Sequence, residues 1–346
     1  MTATAYLHAV GTAVPDTDIH RCFIDWAARR IADDRERALF ARMAERSGID
    51  HRWSVLRAPV GEGGFYSASW PSTARRMDVY GEAAPDLAAR AVRALGERTP
   101  IERITHLVVA SCTGFTAPGT DQRLAALLGL PATVERLLVG YMGCYAAVVA
   151  LRSARHIVRS EPGARVLVVC VELSTLHLQD SGAVEPLLAM LQFGDGAAAA
   201  LVTGEPGPIT LDRPFSTTLP ESADLIRWDL GDHGFAMHLS GAVPGAIGAA
   251  LADPAMLPEP AADMDLWAVH AGGRSILDAV ARALALPPDA LDHSRAILRA
   301  FGNMSSATLL FVLARILAGD ARGRGMALAF GPGMAMEGLT FRREDR

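Results

Sequence analysis

The chain predicts an α/β fold, and three observations predict it. Strand-like and helix-like segments alternate in both halves. The segments THLVVAS, RVLVVCV and DLWAVH are continuously apolar, as strands covered on both faces are. The chain has 346 residues, half of them hydrophobic, enough for one large domain or two halves sharing an interface.

Residues 6–12 read as a first strand, with a turn at Val14, Pro15 and Asp16. Residues 33–47, DDRERALFARMAERS, read as a strong helix. Asp33 and Asp34 suit its first turn, Gly48 follows its last, and Leu39, Phe40 and Met43 form an apolar stripe. Arg42 and Arg46 are four apart and share a face. That face is either solvated or set for an anionic ligand such as the phosphates of a nucleotide-tailed thioester. Residues 61–72 read as a Gly/Ser-rich loop and residues 85–96 as an Ala- and Arg-rich helix.

The strand at 105–111 runs into CTGFTAPGTD, a turn-rich segment beyond a strand end, where function often sits. Residues 122–130 form a short helix stopped by Pro131. In VGYMGCYAAVVALRSARHIVRS, Cys144 follows a Gly-containing turn and opens an apolar helix reaching Ser160. A thiol there feels the positive end of the helix dipole, which favours thiolate. A buried structural cysteine is the other reading. Strands follow at 165–171 and, after the tight turn FGDG, to Thr203.

The boundary between halves falls near residue 207, giving 1–207 and 208–346. Ile209 begins a strand, and 243–251 suggests a helix. The strand 265–270 ends at His270 and is broken by Gly272–Gly273, after which 274–285 is a helix. FGNMSS is a loop that opens an apolar helix to Leu317. Strands at 326–330 and 334–341 flank the turn Gly331–Pro332–Gly333 and close the chain.

Composition excludes several chemistries. There is no lysine; all 33 basic residues are arginine. This removes a phosphate-loop lysine, a Schiff-base lysine and a lysine general base. A net charge of −5 without a basic block argues against nucleic acid. Four widely spaced cysteines, Cys22, Cys112, Cys144 and Cys170, fit a reduced, cytoplasmic protein better than a disulfide scaffold or zinc site. There is no signal-peptide pattern and no apolar run of membrane-spanning length.

Three polar residues stand at edges of apolar structure: Cys144 before a helix, His270 at a strand end, Asn303 in a loop before a helix. Thioester chemistry asks for these types: a thiol nucleophile, its counter-ion, and neutral donors for a developing oxyanion. Each alone is more often a core or turn residue. The segments VGYMGC, WAVHAGG, FGNMSSAT and AFGPGMAMEG decide the weighting. They resemble the active-site motifs of type III polyketide synthases of the bacterial type, in the chalcone synthase family. SCTGFTAPGTD and FGDGAAAALV match in the same order, so the resemblance spans the chain, least well in its N-terminal third.

The resemblance implies a thiolase fold, a duplicated αβαβα five-layered sandwich, usually in a homodimer. It implies that Cys144 takes an acyl starter from acyl-CoA and pairs with His270 as imidazolium. His270 and Asn303 would stabilise the enolate formed when malonyl-CoA loses carbon dioxide. Rounds of condensation then precede closure to a pyrone, resorcinol or related ring. No metal or organic cofactor is implied. Arg42 and Arg46 fall where the family contacts coenzyme A phosphates, and Phe215 is matched to its gatekeeper phenylalanine. Cys112 and His177 stand where plant members have cavity threonines, Trp228 at a cavity-floor glycine, and Met237 at a second gatekeeper phenylalanine. Those changes fit a small product or a cavity redirected toward a fatty acyl starter. A single-condensation synthase of the β-ketoacyl-ACP synthase III type shares the triad and is the alternative; GNMSSAT and FGPG favour the polyketide synthase. A papain-like protease also orders Cys, His and Asn, but lacks this strand–helix alternation.

Overall fold

The computed structural model describes residues 3–67 and 69–344. Strand β1 (Ala5–Ala13) is followed by the short strand β2 (Thr17–Asp18), helices α1 (His20–Arg30) and α2 (Asp34–Glu45), and β3 (Trp53–Ser54), which pairs with β2. Helix α3 (Thr73–Gly96) leads to β4 (His106–Ser111), α4 (Thr120–Leu127) and β5 (Glu135–Gly140). A 3₁₀ turn, Gly143–Tyr145, opens α5 (Ala146–Ser160); β6 (Arg165–Leu173), α6 (Val184–Met190) and β7 (Asp195–Thr203) complete the first half. The second contains β8 (Ile209–Thr218), the hairpin β9 (Ile226–Gly231) and β10 (Gly234–Leu239), α7 (Val243–Leu251) and β11 (Leu266–Val269). It ends with α8 (Arg274–Ala283), α9 (Asp292–Phe301), α10 (Ala307–Ala318), β12 (Gly323–Gly331) and β13 (Ala335–Arg343).

Nine strands join in the order β11-β12-β13-β8-β1-β7-β6-β4-β5. The two halves repeat one pattern. In the first, β4 runs parallel to β6, β7 is antiparallel to β6, and β1 antiparallel to β7. In the second, β11, β12, β13 and β8 stand in the same relations. Only a short antiparallel pairing of β1 with β8 links the halves within the sheet. Topology therefore shows a duplication that the letters do not.

Alternation along the strands sorts side chains into three cores. Val108 and Ala110 of β4 face the same core as Leu266 and Ala268 of β11, and α5 and α10 fill that core from both halves. Leu107 and Val109 face outward to α1, α2, α3 and α4. Trp267 and Val269 face outward to α7, α8 and α9. The layer order is helix, sheet, helix, sheet, helix, the thiolase-like arrangement. Because α5 and α10 lie in the middle, residues preceding them meet inside the molecule.

Several elements differ from the sequence reading. Helix α3 starts at Thr73, with Ser72 Oγ accepting from Arg75 N at 3.2 Å, and runs through Pro85. Pro85 and its neighbours Ala84, Leu87 and Ala88 are buried, and that packing offsets the backbone bond proline cannot make. Helices α1, α6 and α9 and the β9–β10 hairpin were not expected. Helix α2 starts at Asp34, and Asp33, placed by the sequence inside the first turn, is its cap: Asp33 Oδ1 accepts from Arg35 N and Glu36 N, both at 2.9 Å.

Candidate active site

The nucleophile turn is held by glycine. Gly143 has φ +71°, and a Cβ there would lie 2.5 Å from Pro332 Cδ. A Cβ on Gly331 would lie 2.8 Å from the Tyr145 ring and 3.3 Å from Cys144 N. The FGPG turn after β12 thus packs on the turn carrying Cys144, one motif from each half. Cys144 itself sits in the 3₁₀ turn rather than in α5.

Cys144, His270 and Asn303 are 6%, 2% and 3% exposed, so all three are buried side chains. Asn303 is fixed on three sides. Its backbone N donates to Gln192 O at 2.8 Å, its Oδ1 accepts from Ser305 N at 2.8 Å, and its Nδ2 donates to Gly272 O at 3.3 Å. The second Nδ2 hydrogen is left toward Cys144 Sγ, 3.9 Å away. His270 follows β11, its N donating to Leu328 O at 2.8 Å. A Cβ at Gly272 would stand 3.4 Å from His270 Nε2, so the glycine leaves that face of the ring open. Among the described residues, neither imidazole nitrogen has a hydrogen-bond partner.

The electrostatics oppose the helix-dipole expectation. Burial pushes the Cys144 thiol up to about 11, outweighing hydrogen bonds from Ser305 and Asn303 that act downward. Burial pulls His270 down to about 3. Each charged form alone is poorly solvated in this core. Burial thus acts against the thiolate and against the imidazolium when each is taken alone, in opposition to the charged pair the resemblance implies.

Behind the triad lies a buried carboxylate the sequence reading passed over. Glu172 accepts from Cys112 N (3.0 Å), Cys112 Sγ (3.2 Å), Thr113 Oγ1 (2.8 Å) and Ser306 Oγ. Burial raises its pKa. Cys112 Sγ is also 3.3 Å from Ser305 Oγ, which joins this network to the catalytic loop. A charged letter ending an otherwise apolar strand was the available signal.

Two cavities lie near the site, reached through neighbours of the triad: Gly272 in the wall of the first and Phe193 in that of the second. A cleft of about 920 Å³ is lined by Leu39, Met43, Arg46, Gly272, Gly273 and Arg274, among others. Arg46 reaches it; Arg42, on the exposed flank of α2, is not in its wall. Arg274, unforeseen, sits beside Arg46, its Nη1 donating to Arg46 O at 3.4 Å. The second cavity, about 280 Å³, has His177, Trp228 and Met237 in its wall; Cys112 is in neither wall, and its neighbour Thr113 lines the second. Phe215 is in neither wall. It lies on β8 over Gly338, where a Cβ would meet its ring at 2.0 Å, and packs on the outer core of the second half. Phe193, of the FGDG turn, lines the cavity instead and pairs with Asn303 through the backbone.

One further cluster stands apart. His106 Nε2 lies 3.6 Å from Glu135 and 3.8 Å from Glu161, both exposed, at the opposite end of β4 from Cys112. Cys22, Cys112, Cys144 and Cys170 are free thiols. Among the described residues, no helix is long and apolar enough to cross a membrane.

A duplicated five-layer α/β fold, with buried Cys144 and Asn303 meeting between its halves and buried His270 two residues from the Gly272 carbonyl that Asn303 bonds, defines a thiolase-like acyltransferase. The N-terminal domain of chalcone and stilbene synthases matches residues 1–206, and the C-terminal domain of that family matches residues 211–343. The chain belongs to this family, the type III polyketide synthases. Among solved structures it is similar to PKS-I from the brown alga Ectocarpus siliculosus, at 27% identity and TM-score 0.88, covering 99% of each chain. It is similar also to the C-terminal type III polyketide synthase domain of Steely1, a type I/III hybrid from Dictyostelium. There the identity is 27% and the TM-score 0.89, over 98% of this chain and 99% of that one.

Proposed function

We propose that this polyketide synthase loads an acyl starter from acyl-CoA onto Cys144 and extends it with malonyl-CoA. The observation that carries the reading is the Asn303 amide, locked with an N–H toward Cys144 Sγ. In loading, the sulfur attacks the thioester carbonyl as His270 takes its proton. A C–S bond to Cys144 forms, the bond to coenzyme A breaks, and the departing thiolate receives the proton. In extension, malonyl-CoA loses carbon dioxide and the bond's electrons pass into an enolate. His270 and Asn303 hold its oxygen. The enolate carbon attacks the acyl carbon, and the C–S bond to Cys144 breaks. Repeated rounds end in cyclisation to a pyrone, resorcinol or related ring.

These side chains supply nucleophile, proton carrier and oxyanion donors, so acyl-CoA and malonyl-CoA are the only small molecules the scheme calls on. Arg46 and Arg274 at the cleft offer cations to the coenzyme A phosphates. Residues 1–207 and 208–346 act as the two halves, the first with the nucleophile, the second with His270 and Asn303. The working form is a homodimer formed on edge strand β5, where Leu137 and Leu138 are exposed near exposed Leu127 and Tyr141. A cytoplasmic setting suits its four free thiols.

Mass spectrometry tests the scheme. Protein incubated with short, aromatic and long-chain acyl-CoA, with and without malonyl-CoA, should carry an acyl adduct on Cys144 and release extended products. An adduct on no thioester would overturn it.

A further inference from the structure

We infer that the 280 Å³ cavity behind the Trp228–Met237 pair holds an aliphatic acyl chain, so that the preferred starter is a fatty acyl thioester. The inference rests on the condensation chemistry proposed above and names its substrate class.

Position comes first. Helix α6 divides the two cavities: Val184, Glu185 and Leu188 face the cleft, Pro186 and Met190 the cavity, and Ala189 both. One end of the cavity abuts the catalytic loop. Phe193 forms part of its wall, while Asn303 N donates to Gln192 O at 2.8 Å and Gly194 N to Asn303 O at 3.0 Å. Thr113, also in the wall, follows Cys112, whose sulfur is 3.3 Å from Ser305 Oγ. The other end is built by Ile19, Phe23, Val60 and Tyr66, from α1 and the loop after β3. An acyl-CoA seated in the cleft with its carbonyl at Cys144 has this space for the rest of its acyl group.

The chemistry of the wall comes second. Most of its polar side chains are engaged with the protein; the exception is Arg52 Nη2, a buried N–H without a partner among the described residues. Thr113 Oγ1 donates to Glu172 at 2.8 Å, and Thr175 Oγ1 to Asp195 at 2.7 Å. His177 donates from Nε2 to Thr113 O at 2.7 Å and accepts Phe235 N at Nδ1, 3.1 Å. Gln179 Nε2 donates to His177 O and His233 O, each at 3.0 Å. Arg52 is 1% exposed, with Nε on His20 and Nη1 on the Met190 and Phe193 carbonyls. A hydroxylated aromatic starter would lose its water and gain little in return. An alkyl chain loses nothing and buries its methylenes. Trp228 and Met237 face each other across the hairpin, and the methionine adapts to a narrow, flexible guest.

Burying one methylene is worth about 0.8 kcal/mol, which converts to roughly fourfold in affinity. The test measures kcat/KM with malonyl-CoA for acetyl-, butanoyl-, octanoyl-, dodecanoyl-, cinnamoyl- and succinyl-CoA. The expected result is a rise of roughly two- to fourfold per methylene until the cavity is full. A flat series, a cinnamoyl preference, or succinyl-CoA surpassing butanoyl-CoA would overturn it; the last would assign the cavity to a carboxylate facing Arg52. Val60→Trp, at the far end, should lower the dodecanoyl-to-butanoyl ratio at least tenfold, and an unchanged ratio counts against the inference. If that variant does not fold, Ser181→Trp on the same wall takes its place. Loss of malonyl-CoA decarboxylation and of the acetyl adduct on Cys144 in the unaltered enzyme would sink the condensation reading itself. Both present without chain-length preference would sink only this one.

Discussion

Asn303 holds both ends of its amide beside the sulfur of Cys144, Nδ2 at 3.9 Å and Oδ1 at 4.0 Å, and only the N–H end is uncommitted. The carbonyl is taken by Ser305 N at 2.8 Å and one amide hydrogen by Gly272 O at 3.3 Å, which leaves the other for the reacting centre 3.9 Å away. The locked amide is a preorganised donor, worth most where water is excluded.

Replacing Asn303 by Asp keeps the shape and puts an acceptor where the donor was. Decarboxylation of malonyl-CoA should fall by roughly 10²–10³, the loss expected for one oxyanion donor. Carbon dioxide release, followed with labelled malonyl-CoA, reads this step without extension. A normal rate in Asn303→Asp would remove the donor role.

The upward push of burial on the Cys144 thiol has a kinetic signature. With the thiol raised to about 11, the thiolate fraction is small at neutral pH and grows with pH up to that value. Iodoacetamide labelling of Cys144, resolved from exposed Cys22 by peptide mass, should therefore keep rising through pH 9. A plateau reached near pH 7 would show a standing thiolate–imidazolium pair.

Much of this site was legible because its motifs are local. A glycine turn before an apolar run placed Cys144, and a strand broken by two glycines placed His270. What the letters could not give was the balance of burial against the helix dipole at Cys144. That depends on how completely α5 and α10 are enclosed by both halves. Nor could they separate Phe193 from Phe215, because that choice turns on which strand lies beside the catalytic loop. Helices α1 and α6 were missed for a related reason. Helix α6 is short and divides its residues between two cavities, while the stripe of α1 is only Phe23 and Ala27 with His20 among several charged letters.

Gly143 should not tolerate alanine. Its φ of +71° costs a side-chain residue about 1–2 kcal/mol, and the new methyl would meet Pro332 Cδ at 2.5 Å. Thermal unfolding of Gly143→Ala should shift down by several degrees, and Cys144 acylation should drop with it. Adding Pro332→Ala should restore part of the stability by removing the clash while leaving the backbone cost. If the double variant is no more stable than the single, the contact with the FGPG turn is not what constrains this position.

His177 gives the fold a sensitivity to acid. The ring is held neutral between Thr113 O and Phe235 N, and stacks on Phe235 with centroids 4.1 Å apart. Burial lowers its pKa to about 4 from an ordinary 6.5. Below pH 6.5 the unfolded chain takes up a proton that the folded chain refuses, so stability falls as pH drops from 6.5 toward 4 and is unaffected above that window. His20, lowered to about 4, and His270, lowered to about 3, act in the same direction. At pH 7, His177→Asn should cost about 1–3 kcal/mol through the two lost hydrogen bonds. That deficit should shrink by about 2 kcal/mol at pH 4.5, because the variant no longer carries the proton penalty. Urea unfolding at the two pH values measures both quantities. A deficit that stays constant with pH would show that the ring already shares its proton with solvent through the cavity.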